Sequence, residues 1–286
     1  MDFIGADRSF GEADIVLFGA PFDSTTSFRP GTRFGPAAMR TESSGIETYS
    51  PYQDRDLLED ARVHDAGDLE LPPGSAERAL DMIEEKASVI LDAGKTPFLL
   101  GGEHLVTLGA VRAAAKRFKD LRIIHFDAHA DLRDDYLGVK LSHACVMRRC
   151  HDILGDGRIW QFGIRSGARE EFDFMKAGHV VTERFSAKTL SGLSFPEGTP
   201  VYLTVDLDVL DPSEFPGTGT QEAGGLSFME LLAAIRDVLS RFNVVAIDNV
   251  ELSPQMDGTG RSTALACKFL REQLLCLNTA KSTSQT

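Results

Sequence analysis

A chain of 286 residues, 42% hydrophobic and 26% charged, has the make-up of a soluble globular protein, and no run in it approaches the roughly 20 apolar residues of a membrane span. Its formal net charge of −13, without any basic stripe, argues against a nucleic-acid backbone as partner and favours a small cationic one. Met1 to Phe10 carries no apolar signal core, and the four cysteines (Cys145, Cys150, Cys267, Cys276) form no CxxC pair, so the expected setting is the cytoplasm, with buried or idle thiols.

The first apolar run predicts a strand over 15–19. The glycine-rich segment from Arg29-Pro30-Gly31 to Gly35-Pro36 lacks the lysine of a phosphate loop, and reads as a turn entering a helix with Pro36 near its start. Helical periodicity over 76–93 precedes a strand at 97–100, which runs into Gly101-Gly102-Glu103-His104. A helix at 106–118 then leads to a strand at 122–127, continued by Asp127-Ala128-His129-Ala130-Asp131. If strand geometry persists there, alternate side chains share a face, and Asp127, His129 and Asp131 converge. His125 has the same parity and reads as a supporting histidine, whereas His64, His151 and His179 read as structural or surface residues. Strands at 158–163 and 180–182 flank a helix at 168–176. A strand at 201–206 ends in Asp206, with Asp208 two residues on. A helix at 228–239, a strand at 244–248 leading to Glu251, and a helix at 262–275 complete the pattern, before a polar tail that includes Ser284 and Gln285.

Apolar strands alternating with helices predict an α/β fold: one domain over 1–286, in three αβα layers around a mainly parallel central sheet. Ligands of such sheets bind beyond the carboxyl ends of the strands, where the acidic and histidine-bearing motifs fall. His104, Asp127, His129, Asp131, Asp206 and Asp208 offer two imidazoles and four carboxylates without a thiolate, a set suited to a borderline-hard dication such as Mn²⁺. Six side chains exceed what one catalytic ion with an open position needs. Two ions sharing bridging carboxylates fit better.

In these motifs the chain resembles the ureohydrolases, the arginase and agmatinase family. The GGxH motif is Gly101-Gly102-Glu103-His104, and DAHxD is Asp127-Ala128-His129-Ala130-Asp131. The third motif runs from Thr204-Val205-Asp206-Leu207-Asp208 through Asp211-Pro212 to Pro216-Gly217-Thr218-Gly219-Thr220. The resemblance spans nearly the whole chain and implies an arginase/deacetylase-like fold with two Mn²⁺ per subunit. One ion would be held by His104, Asp127, Asp131 and Asp206, the other by Asp127, His129, Asp206 and Asp208, so that Asp127 and Asp206 bridge. It further implies attack of a metal-bridging hydroxide on a guanidinium carbon. Glu251 would grip the guanidinium, Asp131 would pass a proton to the departing amine, and His143 would exchange protons with solvent. Family members form trimers and hexamers, which implies a homo-oligomer.

Leu132-Arg133-Asp134-Asp135-Tyr136 and the segment from Tyr49 to Asp56 look like those of bacterial agmatinases, implying hydrolysis of agmatine to putrescine and urea. Guanidinobutyrate, arginine or formiminoglutamate is the alternative substrate, and a catalytically inactive regulator the remaining one. Asp134 and Asp135 are expected to suit the amine of the substrate. Agmatinases commonly carry Asp-His-x-Glu after the Glu251 motif, where this chain reads Asp257-Gly258-Thr259-Gly260-Arg261-Ser262-Thr263, so that loop is expected to bear on recognition of the substrate's far end. Cys145, close to His143, is expected to be inert packing.

Overall fold

The computed structural model of the protein describes residues 1–283. Ser284 and Gln285 of the expected tail lie outside them. In chain order the elements are β1 (Ile15–Ala20), α1 (Gly35–Ser43), the short pair β2 (Tyr49–Ser50) and β3 (Arg55–Asp56), α2 (Leu57–Asp60), β4 (Val63–Asp68) and α3 (Ala76–Asp92). There follow β5 (Thr96–Gly101), α4 (Thr107–Arg117), β6 (Arg122–Phe126), α5 (Val146–Leu154), β7 (Ile159–Ile164) and α6 (Arg169–Lys176). The chain continues with β8 (Val181–Arg184), β9 (Pro200–Asp206), α7 (Phe228–Arg241), β10 (Asn243–Val250) and α8 (Arg261–Thr283).

Every expected strand forms within two residues of its predicted bounds, and Pro36 does sit in the first turn of a helix. The apolar-run criterion passed over β4, whose sequence Val63-His64-Asp65-Ala66-Gly67-Asp68 is polar because it forms a half-exposed edge. It also passed over α5, a short helix that presents one apolar face between charged residues.

Eight strands form one sheet in the order β4-β1-β5-β10-β9-β6-β7-β8, and every neighbouring pair is parallel. All eight carboxyl ends therefore share one rim. Because side chains alternate along a strand, the sheet buries two separate apolar layers. Leu17, Phe98, Ile124, Leu203 and Ile247 face α7 and α8, packing with Leu231, Ile235 and Phe269. Val16, Leu99, Ile123, Tyr202 and Ala246 face Ile83 of α3, Val111 of α4 and Met147 of α5. Each fully buried large aliphatic side chain in these layers contributes roughly 1.5–3 kcal/mol.

One row interrupts the second layer. Gln161, His125, Thr204 and Asp248 lie in register across β7, β6, β9 and β10, all fully buried. Buried polar groups need partners, and these find them in one another and in the rim above.

Candidate active site

Three strand ends and one helix start build the site. After β5, Gly102 passes between the loop following β1 and the end of β10: its N–H donates to the Ala20 carbonyl (2.9 Å), and its own carbonyl accepts from Glu251 N–H (2.9 Å). A Cβ there would stand 2.0 Å from the Phe22 carbonyl oxygen, so only glycine fits. This threading places His104 in the turn that opens α4.

β6 stops at Phe126, so the strand geometry expected to align Asp127, His129 and Asp131 does not persist. A loop brings them together instead. His129 N–H donates to Asp127 Oδ1 (2.6 Å), and Asp131 adopts a left-handed φ of 54°, turning its carboxylate to within 3.2 Å of His104 Nδ1. Glu251, just past β10, is likewise left-handed at φ 66°. Such backbone costs roughly 1–3 kcal/mol for a residue with a side chain, and it falls here on two candidate site residues. At the end of β9, Asp206 Oδ1 accepts Asp208 N–H (2.8 Å). Arg165 holds that turn from outside, donating to the carbonyls of Asp208 (2.7 Å), Val209 (3.1 Å) and Glu222 (2.9 Å).

The six residues do converge. His104 Nδ1 lies 3.1, 3.2 and 3.3 Å from carboxylate oxygens of Asp127, Asp131 and Asp206, while His129 Nδ1 lies 2.9 Å from Asp208 and 3.6 Å from Asp127. Although so close, His104 Nδ1 is buried and makes no hydrogen bond, because the oxygens surround it rather than face it along an N–H direction. Its other nitrogen, Nε2, lies 3.0 Å from Thr204 Oγ1, and that hydroxyl donates to Asp248 Oδ1 (2.6 Å). The Thr204 hydroxyl, having spent its proton on Asp248, must accept from Nε2–H. This leaves Nδ1 unprotonated among the carboxylates with its lone pair free, the tautomer a metal ligand needs.

His125 behaves as expected of a supporting residue. Gln161 Nε2 contacts its Nδ1 (3.1 Å), so Nε2–H donates to Asp127 Oδ2 (2.8 Å). Burial alone would raise Asp127, but the imidazoles of His104, His125 and His129 gathered around it hold it well below the carboxylate range. Asp206 is pushed up well above that range by burial and by the charges of Asp208 and Asp127. Burial opposes charge on His104, yet the three carboxylates raise its pKa well above the ordinary value. This point in the rim thus calls for positive charge, and the unbonded Nδ1 among oxygens fits a hard or borderline dication better than a shared proton.

His143 stands beside Glu251, its Nδ1 3.4 Å from Oε1, and Glu251 Oε1 also accepts from His104 N–H (2.8 Å). At Nε2, Ser27 offers its backbone N–H (2.9 Å) and its hydroxyl (2.9 Å), so the ring is served with or without a proton there. Burial lowers the His143 pKa, but the hydrogen bond and charge of Glu251, with Asp131 and Glu103, lift it to about 9. Glu103, fully buried, is pushed up to about 8 by that burial and accepts from Thr25 N–H at Oε2 (2.9 Å). Cys145 is buried, its thiol pushed up to about 12 by that burial.

These groups open onto a cavity of about 260 Å³, room for a small extended molecule, whose outer wall includes Arg133, Tyr136, Ser166 and Glu171. Asp134 and Asp135 are not on that wall. Asp134 pairs with Arg149 (2.8 Å), and Asp135 caps Gly138 N–H (2.7 Å), so the expected acidic grip on an amine does not form. Nor do residues 257–263 line it. Asp257 instead accepts from Ser262 N–H (2.8 Å) and Thr259 N–H (3.0 Å), fastening the start of α8. Sequence reasoning passed over Ser27, Arg165, Gln161 and Glu171; of these only Gln161, a polar residue inside the apolar run of β7, carried a visible signal.

The family model for the arginase family matches residues 13–276. An agmatinase of Bacillus anthracis is 49% identical over 276 residues, 96% of this chain and 95% of that protein. An agmatinase of Bacillus subtilis is 46% identical over the same shares. The crystal structure of agmatine ureohydrolase of Thermoplasma volcanium superposes with a TM-score of 0.89 at 34% identity, covering 99% of this chain and 96% of that one. The chain belongs to the arginase family, the ureohydrolases, and is a hydrolase acting on a guanidino C–N bond.

Proposed function

We propose that the protein hydrolyses agmatine to putrescine and urea with two Mn²⁺ bound at the rim. His104, Asp127, Asp131 and Asp206 would hold one ion, and Asp127, His129, Asp206 and Asp208 the other, with Asp127 and Asp206 shared. The observation that carries this reading is His104 Nδ1, buried, without a hydrogen bond, and 3.1–3.3 Å from three carboxylates. When bound, the ion pair supplies an activated water as nucleophile at neutral pH and withdraws charge from the substrate. Glu251 holds the planar guanidinium through paired N–H···O bonds and presents its carbon to the rim. Asp131 carries a proton to the departing amine, and His143, at the cavity wall, exchanges protons with solvent. The protein acts in the cytoplasm as a homo-oligomer, a trimer or hexamer, of one domain spanning 1–286. Among the described residues no helix is long and apolar enough to cross a membrane.

A second reading has an observation in its favour. Arg133 lines the outer cavity while Asp134 and Asp135 turn away, an arrangement that suits the carboxylate tail of a guanidino acid such as guanidinobutyrate. Against it, Arg133 already lies 3.6 Å from buried Glu171 and 3.8 Å from Glu170. Urea release from Mn²⁺-loaded protein, measured on agmatine, 4-guanidinobutyrate and arginine, separates them. Turnover of agmatine at least tenfold above the others is expected. Preference for guanidinobutyrate transfers the assignment, and two bound ions with no urea from any of the three leaves a regulatory protein.

A further inference from the structure

The opposite rim of the sheet carries a cluster that catalysis does not use. His151 stands in the last turn of α5, Asp156 in the turn before β7, and His179 just before β8. We propose that these three residues form a separate site for a borderline transition-metal dication such as Zn²⁺. His151 Nε2 and His179 Nδ1 each lie 2.7 Å from the same oxygen of Asp156, and one ligand atom from each residue falls within 4.8 Å of the others. That is a spread an ion with bonds of about 2.0–2.2 Å can bridge, and two imidazoles with one carboxylate are ligands zinc takes with a water in the fourth position.

The cluster is built rather than scattered. Phe174 of α6 stacks on His179 (ring centroids 4.2 Å, 25°) and meets His151 edge-on (4.9 Å, 85°), which fixes both rings. Gly157 N–H donates to the His179 carbonyl (3.0 Å) and Gly155 N–H to that of His151 (2.8 Å), tying the three segments together. Gly155 (φ 82°), Gly157 (φ 67°) and Gly178 (φ 88°) supply the left-handed turns that place Asp156 and His179. Among the described residues the ion pairs of Asp156 are with these two imidazoles and with no lysine or arginine, so no cation already neutralises it. Its side chain is 66% exposed and can swing to admit an ion between the rings. An ion here would fasten α5 to the starts of β7 and β8, at the end of the sheet remote from the reacting groups.

The proposal is independent of the reading of the catalytic rim. Mn²⁺-loaded protein is equilibrated with limiting Zn²⁺, desalted, and both metals are counted per chain by mass spectrometry. The expected result is one added zinc with manganese retained. His179→Gln, at a half-buried side chain, and Asp156→Asn, at an exposed one, should each weaken zinc uptake at least tenfold, leaving manganese content and guanidino hydrolysis unchanged. Zinc gained only as manganese is lost, no zinc uptake, or equal uptake by the two variants would overturn it. The difference between wild type and variants decides the matter whichever metal fills the catalytic rim.

Discussion

Asp127 and Asp206 sit at the centre of the carboxylate and histidine cluster, close to His104. Both are buried, and they are displaced in opposite directions: three neighbouring histidines stabilise the charge on Asp127, while Asp206 meets two further carboxylates. On the proposed assignment, in which both are shared ligands, they should fail together with the ions. Asp127→Asn or Asp206→Asn is expected to lose metal and activity in parallel, each by on the order of 10²-fold or more, measured by metal content and urea release. His143→Ala should part the two readouts, keeping both ions while kcat falls on the order of 10²–10⁴-fold. A His143→Ala protein with full turnover removes that residue from the mechanism. Part of this residue scale was legible in the sequence, because ligand types and their spacing are local properties. Asp134 and Asp135 were misplaced for a physical reason: in a loop, the direction of a side chain follows its hydrogen-bond partners, here Arg149 and Gly138, and residue type alone does not say where it points.

At the scale of elements, the site rests on the register of the sheet. Gln161, His125, Thr204 and Asp248 align across four strands, and through them β7 orients the histidine that supports Asp127, while β9 and β10 fix the tautomer of His104. Thr204→Val keeps the shape but removes the hydroxyl, freeing the His104 proton to move to Nδ1. Manganese affinity is expected to drop roughly 10- to 100-fold with the folded structure intact, read by metal titration and circular dichroism. Gly102→Ala should act differently. With a Cβ 2.0 Å from backbone oxygen, the loop must shift, and both stability and metal binding should fall, seen as a lower Tm together with lost ions.

Across the whole molecule, Arg40 of α1 joins the edge strand β4, donating from Nε (2.7 Å) and Nη2 (2.9 Å) to Asp65 and contacting Asp68 as well. Burial works to raise the Asp65 pKa, but the Arg40 hydrogen bonds and charge, with the N–H groups of Phe3 and Gly67, outweigh it and hold Asp65 below its ordinary value. A lowered folded-state pKa stabilises the fold fully above the unfolded value, near pH 3.9, and that contribution is lost as pH falls through the folded one. Asp65→Asn is therefore expected to cost about 3 kcal/mol at pH 7 by urea unfolding, and progressively less below pH 4. A cost that holds constant with pH would mean the pair contributes shape and no charge.

The sequence by itself determined the alternation of strands and helices, the parallel sheet, and the identity of the residues that meet at its rim. These depend on periodicity and on residue chemistry, both readable along a line. Tertiary structure decided how they meet. Asp131 reaches His104 only because its backbone turns left-handed after β6 ends, and Glu251 reaches His143 by a similar turn after β10. It also decided that the turn at Asp257 fastens the start of α8 rather than lining the cavity, and that His151, Asp156 and His179 gather at the far rim. Positive φ values and hydrogen bonds between distant segments set those directions. Neither leaves a period in the sequence.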